Sequence, residues 1–376
     1  MLAKTETIQI AGAGLAGLSA AITLAIAGRN VIVRESRAVV GARFNGDFQG
    51  LENWTGSVDV IDWLKSLGVE CDFHYQPFSY GTAFDAWGES YPISSNQPLF
   101  YLVERGPGAE SLDSALLRKA LAVGVEVKFN DKVTQLSGPG IIATGPKAAD
   151  AIAVGYHFET TMQDGFWIIL DDELAPEGYS YLLVMNGRGT VKTCIFSGFK
   201  QQDLLLRKTI KSFENLIGLK MNNPKFHGGV GNFNLPKRGS SGIHPNVGEM
   251  AGFQDFLWGF GMRFAIHSGF LAANSLLYNN SYENMWRTEL EQQMRSASVN
   301  RWIFNQLGNR GYRKLLQKNV VGNWDARLKL NKIYRPTWFN QLLSPIALWR
   351  IGLKRKDSSC DHVDCSCIWC QHADHR

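Results

Sequence analysis

The chain has 376 residues, 45% hydrophobic and 19% charged, enough to bury a large core in two intimately joined domains. Its net charge of +5 is unevenly spread: residues 287–356 hold fifteen Lys/Arg against three Asp/Glu, an excess of +12, so the remainder sums to −7. A basic segment on an acidic body argues against a nucleic-acid partner and for a local surface role.

Thr7-Ile8-Gln9-Ile10 opens a strand pattern with no charged-then-apolar leader before it, so no signal peptide is expected. No stretch reaches the ~20 uninterrupted apolar residues of a membrane span. Cys71 and Cys194 are the only cysteines before residue 360, which suits a reducing compartment and leads us to expect a cytoplasmic protein, free or attached at a membrane surface.

Residues 7–35 read strand, tight turn, helix, strand. The turn Gly12-Ala13-Gly14-Leu15-Ala16-Gly17 has the G-x-G-x-x-G spacing. Gly12 permits the turn, Gly14 lets the backbone approach a pyrophosphate, and Gly17 allows close helix–strand packing. The helix that follows aims its first N–H groups at the phosphates, and Glu35, 23 residues after Gly12, is placed for the hydroxyls of an adenosine ribose. Strand, helix and acid together predict a dinucleotide site.

Further along, Leu102-Val103-Glu104-Arg105, then Leu112–Leu117 and Gly124-Val125-Glu126-Val127, resemble the Arg-then-helix-then-strand element of FAD-dependent hydroxylases and reductases. Ile141-Ile142-Ala143-Thr144-Gly145 is similar to the strand that closes their FAD domain. Val247-Gly248-Glu249-Met250-Ala251-Gly252, continuing to Trp258-Gly259-Phe260-Gly261-Met262, resembles the block that holds the ribityl chain and flavin ring. With Ala175-Pro176-Glu177-Gly178-Tyr179-Ser180-Tyr181, these segments resemble the geranylgeranyl reductase branch of the para-hydroxybenzoate hydroxylase superfamily. The resemblance implies FAD as cofactor, with Arg105 at its phosphates and Val133 near its adenine. It implies cofactor contacts at Leu15, Ala16, Gly248, Glu249, Gly259, Gly261 and Met262. Arg43, in the polar loop 43–50, is a phosphate contact or a solvated loop residue. Glu249 stands where the block has Asp, and Phe256 where it has Pro.

The alternating residues 155–200 read as strands of an antiparallel sheet over the flavin, with Tyr179 and Tyr181 as substrate contacts or ordinary sheet aromatics. His244 and His267 flank the flavin block as general acids or packed side chains. After Asn280 the pattern is helical, with tryptophans among arginines and lysines, and reads as a subdomain with a solvated basic face or as an anionic-lipid contact. The last residues carry Cys360, Cys365, Cys367 and Cys370. Four thiols on a polar tail suit zinc or an iron–sulfur cluster, with a redox disulfide pair or a disordered tail as the alternatives to metal.

The expected fold is α/β: a Rossmann-like FAD-binding domain (1–155 and 225–280), an antiparallel substrate sheet (156–224), a C-terminal helical segment (281–356) and a Cys/His-rich tail (357–376). The expected function is FAD-dependent reduction of a carbon–carbon double bond in an isoprenoid-like or other apolar, lipid-like substrate, with NADPH or a ferredoxin-like donor supplying electrons. No second nicotinamide domain is legible, and no side chain stands out as catalytic acid. A flavin monooxygenase and a non-catalytic flavin or metal electron carrier are the alternatives.

Overall fold

The computed structural model describes residues 6–69, 72–133, 135–147, 149–320 and 325–354. Ile8–Ala11 forms the centre of a parallel sheet with Val31–Arg34 and Gly140–Ile142 on either side and Glu126–Lys128 at one edge. Helix Leu15–Ile26 follows the first strand and is buried on nearly every side, because helix Met262–Tyr278 covers the flank that the sheet leaves open. Their close approach needs small residues: a Cβ on Gly269 would stand 2.1 Å from the Ala16 carbonyl oxygen. Ser19 Oγ ties the pair by donating to the Ile266 carbonyl at 2.9 Å.

A seven-stranded sheet lies against this body, in the order Asn222–Gly231, Ala151–Glu159, Arg188–Ile195, Tyr179–Met185, Gly165–Leu170, Tyr80–Asp85, Ser90–Ser94. All pairings are antiparallel except that of Gly165–Leu170 with Tyr80–Asp85. Asn186 and Gly187, with φ 51° and 73°, close the hairpin between Tyr179–Met185 and Arg188–Ile195, the conformation that a two-residue turn requires. One face of the sheet packs on helix Gln202–Ile217; the other, carrying Tyr179, Tyr181 and Cys194, joins the core of the body that carries the parallel sheet. A three-stranded antiparallel sheet, Asp47–Glu52, Phe100–Arg105 and Tyr75–Phe78, bridges the two. The sheet over the site is wider than residues 155–200, because it recruits the hairpin 80–94 and the glycine-rich strand 222–231.

The chain ends in helices, of which Gln292–Val320 bends at Gly308 and Trp338–Lys354 packs back on it. Cys360, Cys365, Cys367 and Cys370 lie outside the described residues.

Candidate cofactor and substrate site

The first turn is built to approach a ligand. Gly12 has φ +105°, and a Cβ there would meet the Ala143 carbonyl oxygen at 2.3 Å. A Cβ on Gly17 would lie 2.0 Å from the Gly12 oxygen. Gly14 differs: a Cβ there meets nothing within 4 Å. Gly14 is also the N-cap of helix Leu15–Ile26 and supplies no side-chain cap, which leaves the helix's first N–H groups free for an anion. Glu35, at the end of the neighbouring strand, accepts from the Ala13 and Arg37 N–H groups at 2.8 and 2.9 Å. The Asp131 N–H bonds the Glu35 carbonyl at 2.9 Å, which brings the irregular stretch with Val133 alongside.

The Gly248 block closes on this turn from 230 residues away in sequence. Gly248, with φ +60°, has room for a Cβ only 3.0 Å from that of Ala16, and its N–H donates to Ser268 Oγ at 2.9 Å. Glu249 forms an ion pair with Arg43. Gly259 has φ +79°, and Gly261 is the N-cap of Met262–Tyr278, again without a side-chain cap. Two uncapped helix N-termini therefore belong to one site. Extended phosphates beside the first and a flavin ring at the second fit these residues, since both termini present backbone donors with no side chain in the way.

Arg105 is spent differently. It is buried, with Nε and Nη2 donating to Asp113 at 2.8 and 3.0 Å and Nη1 to Gln49 at 3.1 Å. Its guanidinium also lies 3.9 Å from the centroid of Phe44. It anchors the strand behind Arg43, and Asp113 already neutralises its charge.

Asp255 and Arg301 hold the loop before Gly261. Asp255 accepts from the Leu257 and Trp258 N–H groups at 3.1 and 2.7 Å and from the Tyr334 hydroxyl at 2.7 Å. Arg301, only 1% exposed, donates to the carbonyls of Phe256, Leu257 and Glu177. Tyr179 reaches the same loop through its hydroxyl, 2.5 Å from the Trp258 carbonyl, and stands 5.9 Å from Tyr181 ring to ring. Burial pushes both phenols well above their ordinary range. His267 packs edge-on to Trp63, and burial with the nearby Arg263 lowers it to about 4. The His244 ring donates to the Gly138 carbonyl at 2.8 Å. His267 is thus packed in the core and His244 is bonded to backbone.

A cluster that the sequence analysis missed lies on the same sheet face. Lys192 stands directly across from Tyr181, and its ammonium sits 2.7 Å from Asp47 and 2.9 Å from His227 Nδ1. Gly155 on the next strand makes room, since a Cβ there would lie 2.6 Å from Lys192 Cγ. His227 donates through Nε2 to the Arg43 carbonyl at 3.0 Å, so its Nδ1 accepts from Lys192. His157 Nε2 lies 3.3 Å from the other Asp47 oxygen. Burial alone would raise the Asp47 carboxyl, but Lys192 and the two histidines hold it below the ordinary range. Burial lowers Lys192 against the pull of Asp47, and it lowers His227 to about 4 with help from Lys192. Asp47, His157 and His227 could each lend an atom to a metal, but the Lys192 ammonium already supplies the positive charge there. The one signal in the sequence was a lysine on the inward phase of Thr190-Val191-Lys192-Thr193-Cys194.

No family model matches the chain. It is 24% identical, over an alignment of 369 residues covering 82% of this chain and 88% of the other, to a digeranylgeranylglycerophospholipid reductase of Haloferax volcanii. Among solved structures, a geranylgeranyl bacteriochlorophyll reductase-like protein of Thermoplasma acidophilum aligns with TM-score 0.67 at 17% identity, over 93% of this chain and 99% of that one. A flavin-dependent brominase aligns with TM-score 0.63 at 15% identity, over 93% of this chain and all of its own length.

Proposed function

We propose that this chain, a FAD-dependent oxidoreductase resembling the geranylgeranyl reductases in sequence and fold, saturates carbon–carbon double bonds in an isoprenoid lipid. The observation that carries this reading is the placement of Tyr179 and Tyr181 on a sheet face that closes over the Gly248–Met262 block. An aromatic wall suits an apolar chain, and the two helix N-termini suit the diphosphate and flavin of FAD. Gly12, Gly14, Leu15, Ala16, Gly17 and Glu35 hold the ADP half; Arg43, Gly248, Glu249, Gly259, Gly261 and Met262 hold the flavin half. Arg105 and Val133 support the phosphate and adenine ends from behind.

Saturating a double bond takes a hydride and a proton, and bound reduced FAD supplies the hydride. The chain has to supply the proton. Lys192 is the acid best placed for it, on the face beside Tyr181, and His227 and His157 link the buried Lys192–Asp47 pair to the protein's partly exposed edge. A lysine lowered by burial gives up its proton more readily than one in water. NADPH or a ferredoxin-like protein is the proposed donor of electrons. Zinc or an iron–sulfur centre on Cys360, Cys365, Cys367 and Cys370 is a separate proposal, read by elemental analysis of the full chain.

The test is to load the protein with FAD, reduce it anaerobically with dithionite, and add digeranylgeranylglyceryl phosphate. The reading expects a product heavier by two hydrogens per double bond. It also expects Lys192→Met to slow this step at least tenfold while FAD occupancy holds. An untouched lipid contradicts the reading, and a hydroxylated product formed with oxygen consumption when the reduced protein is mixed with lipid in air selects the monooxygenase instead.

A further inference from the structure

Helix Trp338–Lys354 has one face committed and one open. Ser344, Ala347 and Ile351 are buried, and the helix packs against Gln292–Val320. On the other side Trp338 is 78% exposed, Leu342 66% and Trp349 59%, with Phe339 and Ile346 about half exposed. Positions 338, 342, 346 and 349 fall on one stripe at helical spacing. Pro345 sits within the helix without breaking it: the Ser344 hydroxyl donates to the Gln341 carbonyl at 3.0 Å, the acceptor that proline leaves without an N–H.

Charge decides what covers this stripe. Residues 326–356 contain eight Lys/Arg and no Asp or Glu. Lys332, Arg335 and Arg350 are exposed, and the Arg350 guanidinium lies 5.0 Å from the Trp349 ring centroid. Tryptophans at both ends of an apolar stripe, with Lys332, Arg335 and Arg350 in no salt bridge among the described residues, match the interface of a bilayer, where rings sit at headgroup level and cations meet lipid phosphate. Among the described residues no helix is long and apolar enough to cross a membrane, so the helix can lie on a bilayer but not span it.

We propose that Trp338–Lys354 docks the protein on the surface of an anionic phospholipid bilayer. A cleft of about 310 Å³ opens beneath the helix, lined by Trp302, Asn305, Gln306, Arg350 and Ile351. Phe304, on the same stretch of the long helix, packs on Trp258 of the loop before Gly261 at 5.1 Å between ring centroids. A lipid held at this face is thus one helix away from the body that carries the cofactor site. The docking does not depend on the reaction proposed above, since it needs no turnover.

The test is flotation of the full chain with vesicles of phosphatidylcholine containing about 30% phosphatidylglycerol, against phosphatidylcholine alone. Binding is expected to the anionic vesicles, to weaken with salt, and to shift tryptophan emission to the blue. Trp338→Ser, Leu342→Ser and Trp349→Ser each withdraw one large apolar side chain and are expected to lower the partition roughly tenfold, with FAD occupancy unchanged. Failure of the wild type to float at low salt overturns the proposal. So does wild-type flotation of the triple variant, or sedimentation showing that the stripe is covered in a dimer of this chain.

Discussion

Gly12 and Gly14 stand two residues apart in one turn, yet their replacement has opposite consequences. At Gly12 the backbone has φ +105° and a Cβ would lie 2.3 Å from a carbonyl oxygen, so Gly12→Val strains the fold itself, by about 2 kcal/mol or more. At Gly14 the space is open, so Gly14→Val should keep the Tm of the cofactor-free protein while losing FAD. Thermal melts without FAD, beside flavin occupancy after reconstitution, separate the two; equal losses of Tm would refute the distinction. A pH effect belongs to the same scale. His267 titrates near 6.5 when free and about 4 in the fold. Between these values the unfolded chain binds a proton that the folded one excludes, so stability is intact above the upper value and is lost as pH falls toward the lower. His267→Phe keeps a ring against Trp63 and removes the titration. The drop in Tm from about pH 7 to about pH 5 should therefore be smaller in the variant, and identical pH profiles would contradict this. The turn glycines and Glu35 were legible in the sequence because each answers a local backbone need. Lys192, Asp47, His157 and His227 were not, because register aligns three of them on one sheet and only the packing of the three-stranded sheet against it brings in Asp47.

At the scale of elements, the basic C-terminal segment proved to be two things. Arg287 and Arg295 pair with Glu283 and Glu291, and Arg313 pairs with Asp85. Arg301 and Arg327 are buried on backbone carbonyls. A count of charges sees none of this, so the excess of +12 overstates the surface; what remains exposed is divided between Arg310, Lys314 and Lys318 on the long helix and Lys332, Arg335 and Arg350 beyond it. Arg301→Met should strip donors from the carbonyls of Phe256, Leu257 and Glu177, at a cost of about 3 kcal/mol or more. Because those carbonyls shape the loop before Gly261, FAD affinity should fall with Tm. Denaturant unfolding and FAD titration check both, and a variant that loses stability yet binds FAD unchanged would detach the loop from the site. The extra strands escaped the sequence analysis for physical reasons. Pro92 interrupts the alternation of Ser90–Ser94, and Gly228, Gly229 and Gly231 leave Asn222–Gly231 with few side chains to alternate.

At the scale of the molecule, the sequence was legible where one segment does one job: strand, turn and helix for the dinucleotide, then a later glycine block. It was not legible where the chain crosses between layers, because the Arg43–Glu249 pair spans 206 residues and Arg301 joins the helical segment to the turn before strand Tyr179–Met185 and to the loop before Gly261. Those long-range ties make the nucleotide body, the sheet and the helices a single frame around one site. The account's central claim is that this frame holds FAD and passes its electrons to an isoprenoid double bond. The most direct measurement is a single anaerobic turnover: reduce the FAD-loaded protein until its visible band is bleached, mix with digeranylgeranylglyceryl phosphate, and follow the spectrum. The account predicts that the oxidised flavin band returns without oxygen. A flavin that stays bleached with the lipid and regains its colour only when air is admitted would contradict it.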